Sequence, residues 1–412
     1  MKGLRNLLSI PATAIAVAVV STQAQLNIPS DGSDGALVIT NDTVIDLGKA
    51  SYGTWDQNNS TNSGNGVYDP QKWAVVFKYS SVTIGSGATV TFLNHKSRAP
   101  VVWLVQATAV VDGRIDLAGK LRACTSDPDT SYLYPIEPGP GGFRGSADSV
   151  LGRGAGYGPF GGTSPYDGGA IYAVASGFWG SMTYGNPEIL PLIGGSGGGG
   201  NSWTGLSYCG AVSGGAGAML IAAGQSLTVN GRISAKNDQV YDYPGASGAI
   251  KLISDQILGS GSLDAAGTSH NGAYNNSGRV RVEANTMSTA LQTFPNTIAV
   301  PPLKSPIIWP SDGAPLVRVA SVNAQPAPAD PVADVLTSSD LNISTNAPVD
   351  IVIQATHFPP SGAIQVRITP KYDQPSLVNA SFVSGDFSSS TWKATTTLPN
   401  GFCVLQAHAT SP

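Results

Sequence analysis

Two stretches of this chain, GAMLIAAGQSLTVNGRISAKN and GAIKLISDQILGSGSLDAAGT, superimpose when Gly231 is set over Gly261. A third copy begins at Gly278 with GRVRVEA. A fourth, VVWLVQATAVVDGRIDLAG, lies upstream at 101–119, with Gly113 in the place of Gly231. A period of about thirty residues is the mark of a solenoid or array. Each copy holds short alternating apolar runs parted by Gly, Asn, Ser or Asp, which is the pattern of strands and turns. One copy cannot bury its apolar face alone, so the copies must stack. The expectation is an all-β fold: a right-handed parallel β-helix, one coil per repeat.

Alternation along a strand decides which side chains leave such a coil. Ile250, Leu252, Val280 and Val282 are predicted to point inward, with Ile233 and Leu263. Lys251, Arg279, Arg281 and Glu283 are predicted outward, with Asp116, Arg232 and Asp264. Lys251 is expected beside Arg281 on the neighbouring coil. Lys251, Arg279 and Arg281 are therefore candidate ligand-binding residues for an acidic saccharide. The competing reading is a solvated face kept soluble by an Arg–Glu ladder.

Other segments divide the chain. Residues 1–24 have a basic start (Lys2, Arg5), an apolar run and Thr22-Gln23-Ala24, the form of a secretory signal peptide. A secreted, extracellular or cell-surface bacterial protein is expected, with no transmembrane segment after cleavage. Residues 25–293 form the β-helix domain, interrupted by a Gly-rich insertion at 120–213. Plain linkers are Gly/Ser-rich without aromatics. This insertion carries many rings, among them Tyr166, Trp179, Tyr184 and Trp203. It is expected to fold back over the coils, with glycines allowing close approach and rings pinning it. The same four rings are candidates for stacking on sugars, against the reading that they pack the insertion down. Cys124 and Cys209 sit near its ends, and an oxidising compartment would favour a disulfide between them. Residues 294–331 are Pro-rich and mark a linker. Residues 332–412, with a first strand that could start near 316, give about seven short alternating runs, read as a small Ig-like β-sandwich. Cys403 falls on an apolar face there and is expected as a core residue.

The set DGSDGAL, VDGRIDLAG, PLIGGSGGGG, GAIKLIS, GRVRVEA, VDIVIQATHFP and LPNGFCVLQAHA resembles a group of Gly-rich secreted bacterial proteins of unknown function. Within it, SLTVNGRISAKN and LGSGSLDAAG resemble coils of filamentous-haemagglutinin-type β-helices. The resemblance implies a β-helix followed by a sandwich, outside the cell, and adhesion by fold analogy. It carries no catalytic residue.

Chemistry is sparsely marked. The net charge of −4 gives no basic face for nucleic acid. No HExxH, CxxC or phosphate-loop ending occurs. The four histidines, His95, His270, His357 and His408, read as surface or packing residues. Glu137 and Glu188 both lie in the insertion and could converge as an acid–base pair. Asp31 and Asp34, and Asp127 and Asp129, could hold calcium, although Asp-Gly is also plain turn chemistry. No other cofactor is expected. Three functions stay open: a non-enzymatic adhesion, glycan-binding or matrix protein; a polysaccharide lyase or glycoside hydrolase on a β-helix; and a purely structural coat component. The partner expected for the first is a polysaccharide or cell-surface glycan, and the oligomeric state stays open.

Overall fold

A computed structural model describes residues 25–122, 135–149, 152–163, 183–199, 212–237, 244–267, 277–333 and 338–411. These residues are nearly all β, with no α-helix and two short 3₁₀ turns. Among them no helix is long and apolar enough to cross a membrane.

Three parallel sheets share the repeats. One repeat gives Ala218–Ala223 to the first sheet, Ser226–Val229 to the second and Arg232–Ser234 to the third. The next gives Ala249–Ile253, Gln256–Leu258 and Ser262–Asp264 in the same order. Val101–Val105, Thr108–Val111 and Arg114–Asp116 precede them, and Arg279–Glu283, Thr286–Met287 and Gln292–Phe294 follow. Two copies that the sequence comparison did not align complete the stack on the N-terminal side. They contribute Ala74–Tyr79, Ser81–Ile84 and Thr89–Leu93, preceded by Ala36–Ile39 and Thr43–Asp46. Register follows the superposition in the third sheet, where Ile233 pairs with Leu263, and is shifted by one residue in the first, where Met219 pairs with Ile250.

The inward residues form one apolar core that includes Trp103, Ile221, Ile250, Leu252, Val282, Ile233 and Leu263. The repeat glycine has a steric reason. Arg114, Arg232 and Ser262 are register partners, so the glycines before them stack in a column. A Cβ on Gly231 would lie 1.8 Å from the carbonyl oxygen of Gly113.

The central strands of the first sheet are buried on both faces. They read AVVFKY, VVWLV, AMLIAA and AIKLI, the near-continuous apolar runs of a doubly covered parallel sheet. Its outer face packs against Leu26 and Ile28 at the start, Ile189 and Leu192 from the insertion, and Ile308 from the Pro-rich segment. Lys251, predicted to point outward, is only 1% exposed there, as is Lys78 on the same sheet. Alternation assigns side chains to faces. It does not reveal a second layer built from distant segments.

The glycine-rich segments have their own order. Phe143 N–H donates to Gly195, Gly195 to Ala216, Ala216 to Ala246 and Ala246 back to Ser196, at 2.8–3.0 Å. Gly194 and Gly197 bond toward Gly141 and Tyr157, whereas Gly195 and Gly198 bond toward Ala216 and Ser213. Directions that recur every third residue are those of extended threefold chains, which have no internal hydrogen bonds and satisfy their backbone laterally. A Cβ on Gly215 would stand 1.8 Å from the Gly195 carbonyl oxygen.

The C-terminal unit is one antiparallel sheet of seven strands bent into a half-barrel. Ser376–Gly385 makes the bend, pairing Ala363–Pro370 with its first half and Ser390–Thr396 with its second. Leu316–Val322, at the alternative start near 316, belongs to this sheet. Residues 334–337 of the C-terminal stretch lie outside the described residues. Trp392, Ile351, Ile353 and Val366 fill its core, with Cys403 at the margin.

Candidate functional site

A cleft of about 530 Å³ opens between the parallel sheets and the C-terminal unit. One wall grows from the turn HKSRAP, which joins Thr89–Leu93 to Val101–Val105. The His95 carbonyl accepts from Arg98 N–H at 2.8 Å, and Arg98 takes a left-handed φ of 55°. Trp73, also left-handed at φ 46°, donates its indole N–H to the Ser97 carbonyl at 3.1 Å. The Trp73 and Phe143 rings stack with centroids 6.3 Å apart. Arg98 and Arg144 lie 3.3 and 2.7 Å from the Glu137 carboxylate, which also accepts from Asn94 at 2.8 Å. The opposite wall carries aliphatic side chains from Val317, Val319, Leu341, Ile343 and Leu405, together with Arg318, Asp340 and Gln406. Ligand sites favour such a boundary, where apolar walls meet a few placed polar groups. A larger groove of about 700 Å³ runs along 338–346 and 398–403, but no charged side chain lines it.

His95 is buried, and its ring lies 4.1 Å from that of Tyr68. Its Nδ1 stands 2.8 Å from the Ser97 hydroxyl and accepts the Ser97 N–H at 3.2 Å. Tyr68 donates its phenol to Asp330 at 2.7 Å. Burial first, then the neighbouring Asp330 charge, pushes the Tyr68 phenol well above its usual range, the Ser97 hydroxyl opposing. Burial and Lys96 lower the affinity of His95 for a proton, and Asp330 opposes them.

The residues marked from sequence fall elsewhere. Lys251 lies on the first sheet, register-paired with Arg281, and is enclosed. Its Nζ donates to the carbonyls of Glu188 and Ile307 at 3.0 and 3.4 Å and sits 3.3 Å from Glu283. Arg281 holds the same carboxylate at 2.6 Å. Arg279 donates to the Tyr184 carbonyl at 3.0 Å. Tyr184 donates its phenol to Gly194 at 2.7 Å and packs near Phe160. These four residues bind the covering segment to the sheet and do not line the cleft. Trp179, Trp203, Tyr166, Cys124, Cys209, Asp127 and Asp129 lie outside the described residues. Glu137 is held between arginines at the cleft, whereas Glu188 lies on the covering segment.

Asp34 accepts from Lys78 N–H, Asn59 and Gly64 at 2.6–2.9 Å. Asp31 accepts from Ser33 and Asn58, both at 3.0 Å, and lies 3.5 Å from the Lys78 ammonium. These carboxylates are supplied by the protein's own donors. Among the described residues no three His, Cys, Asp or Glu gather as a metal group.

Trp73, His95, Ser97, Arg98 and Arg144 were not marked from sequence as ligand contacts. The visible signal was the turn HKSRAP itself, with three basic or titratable residues in six. Periodicity reads that stretch only as a break between strands.

No family model matches the chain, and no curated protein and no solved structure matches it.

Proposed function

We propose that the protein is a secreted or cell-surface glycan-binding protein with an adhesive or matrix role. Its parallel sheets are read as one right-handed β-helix and its C-terminal unit as an Ig-like module. The repeat order, first to second to third sheet in each copy, supports the β-helix. The function rests on the cleft: the Trp73–Phe143 stack beside the guanidinium groups of Arg98 and Arg144. Aromatic faces with polar edges suit the C–H faces of sugar rings. A guanidinium has five N–H donors in a fixed fork, so one already near Glu137 can take a further acceptor such as a uronate carboxylate. An acidic polysaccharide is the ligand this lining fits best.

The test is retention of the mature protein on a panel of acidic and neutral polysaccharides, with and without calcium, with new reducing or unsaturated ends read from the same samples. Retention on acidic polymers, weakened at least about tenfold by Trp73→Ala or Arg144→Gln, is expected, since tenfold is 1.4 kcal/mol. Absence of retention on every polymer overturns the reading. New chain ends replace it with polysaccharide cleavage.

A further inference from the structure

The geometry points to a hydrolytic serine in the same cleft: Ser97 as nucleophile and His95 as its base, acting on a carboxylic ester. Ser97 lines the cleft, and its hydroxyl is 2.8 Å from His95 Nδ1. The Ser97 N–H already donates to that nitrogen at 3.2 Å, so Nδ1 carries the lone pair and the imidazole proton sits on Nε2. The Ser97 hydroxyl is therefore the donor in the 2.8 Å contact. This is the nucleophile-to-base arrangement that covalent catalysis requires. Tyr68, packed 4.1 Å from the imidazole and bonded to Asp330 at 2.7 Å, fixes the ring. The charges facing His95 are Lys96, which disfavours the imidazolium, and Asp330, which favours it. Asp330 and Tyr68 are positioning residues here.

The step balances with water as the only co-reactant. Ser97 Oγ bonds to the ester carbonyl carbon while its proton passes to His95 Nδ1. The carbon–alkoxide bond then breaks, and the leaving alcohol takes that proton. Water adds to the acyl-serine, giving a proton to Nδ1. As the acid departs, the Ser97 Oγ–acyl bond breaks and the proton returns to Oγ. Esters carried on a polysaccharide are the substrate class consistent with the proposed ligand. The serine's reactivity does not depend on that ligand.

The experiment uses the mature protein with an alkyl fluorophosphonate and with p-nitrophenyl acetate, read separately from polysaccharide retention. Peptide mass spectrometry is expected to find the phosphonate on Ser97, with a labelling rate at least about 100-fold above that of His95→Gln, in line with the usual contribution of a positioned base. The rate is expected to fall as His95 is protonated, with a midpoint below its ordinary 6.5. Asp330→Asn removes a charge that favours the imidazolium, so it is expected to move that midpoint to more acidic pH. No label on Ser97 in the wild-type protein, or ester turnover unchanged in Ser97→Ala, overturns the proposal. A serine that only caps the turn at His95–Arg98 would give that result. Mapping the label on the wild-type chain keeps the test valid even if Ser97→Ala unfolds. Polysaccharide retention without labelling would remove this activity and leave the binding function standing.

Discussion

Lys251 and Arg281 are register partners on adjacent strands, and both reach the carboxylate of Glu283, at 3.3 and 2.6 Å. Like charges placed directly opposite repel. Here Glu283 stands between them, and the carbonyls of Glu188 and Ile307 take up the ammonium's remaining protons. Burial pulls the Lys251 ammonium toward losing its proton, and Glu283 opposes this. The triad joins the last strands to the segment that covers them.

Removing the anion is therefore expected to cost more than removing either cation. Glu283→Gln leaves two cations without their carboxylate and should lower stability by ~3 kcal/mol. Lys251→Met keeps the Arg281–Glu283 pair and adds apolar contact, but strands two carbonyls, for a loss of about 1–2 kcal/mol. Urea midpoints of the two variants decide it. The opposite ranking would mean that the ammonium, not the carboxylate, organises this corner.

The glycine column gives a sharper contrast. Gly231→Ala sets a methyl 1.8 Å from the Gly113 carbonyl oxygen, which cannot retreat without breaking the stack. A loss of ~3 kcal/mol or more is expected. Gly313→Ala meets no atom within 4 Å and should fall within about 0.5 kcal/mol of wild type. Equal thermal midpoints for the two would refute the steric account of the repeat glycine.

Much of the parallel stack was legible because its cause is periodic. Gly113, Gly231 and Gly261 recur in sequence because they touch in space, and Ile250 and Leu252 alternate with Lys251 because strands have a period of two. The covering layer was not legible. Leu26, Ile189 and Ile308 meet on one face from three distant places, and no local pattern links them. The cleft escaped for the same reason. Trp73 and Phe143 are seventy residues apart in sequence, and their stacking depends on where the glycine-rich segments lie. The half-barrel strands were readable one by one, but not that Ser376–Gly385 would serve both faces.

Acidification should weaken the fold before any carboxylate titrates. Burial holds His95 and His408 below the usual histidine range, aided by Lys96 for the first and Arg367 for the second. Their unfolded forms take up protons near 6.5, the folded forms only at lower pH. The unfolded state thus binds more protons in that window, and stability rises with pH across it. Stability is expected to be full above about pH 7 and to fall as the pH drops through the unfolded histidine value near 6.5. Urea midpoints at these pH values should drop for wild type and drop less for His408→Gln. An identical slope in His408→Gln would remove His408 from the account and leave His95.

The two units are joined at one buried cation. Arg367, 5% exposed, donates to Gly158 at 2.7 Å, to Gly161 at 3.1 Å and through both terminal nitrogens to Gly156 at 3.3 Å. Burial lowers its pKa to about 10, so it remains charged at neutral pH. A planar fork can reach three carbonyls at once, and an ammonium cannot reproduce that geometry. Arg367→Met would leave those carbonyls without a donor and is expected to cost ~3 kcal/mol. Hydrogen exchange localises the effect: amides of 154–162 should exchange faster, while those of the strand Ser226–Val229 keep their protection. The same variant should widen the cleft and weaken polysaccharide retention without touching its lining. If 154–162 keep wild-type protection in Arg367→Met, the guanidinium is not what seats the C-terminal unit, and the aromatic contact of Phe160 with His408 must carry it.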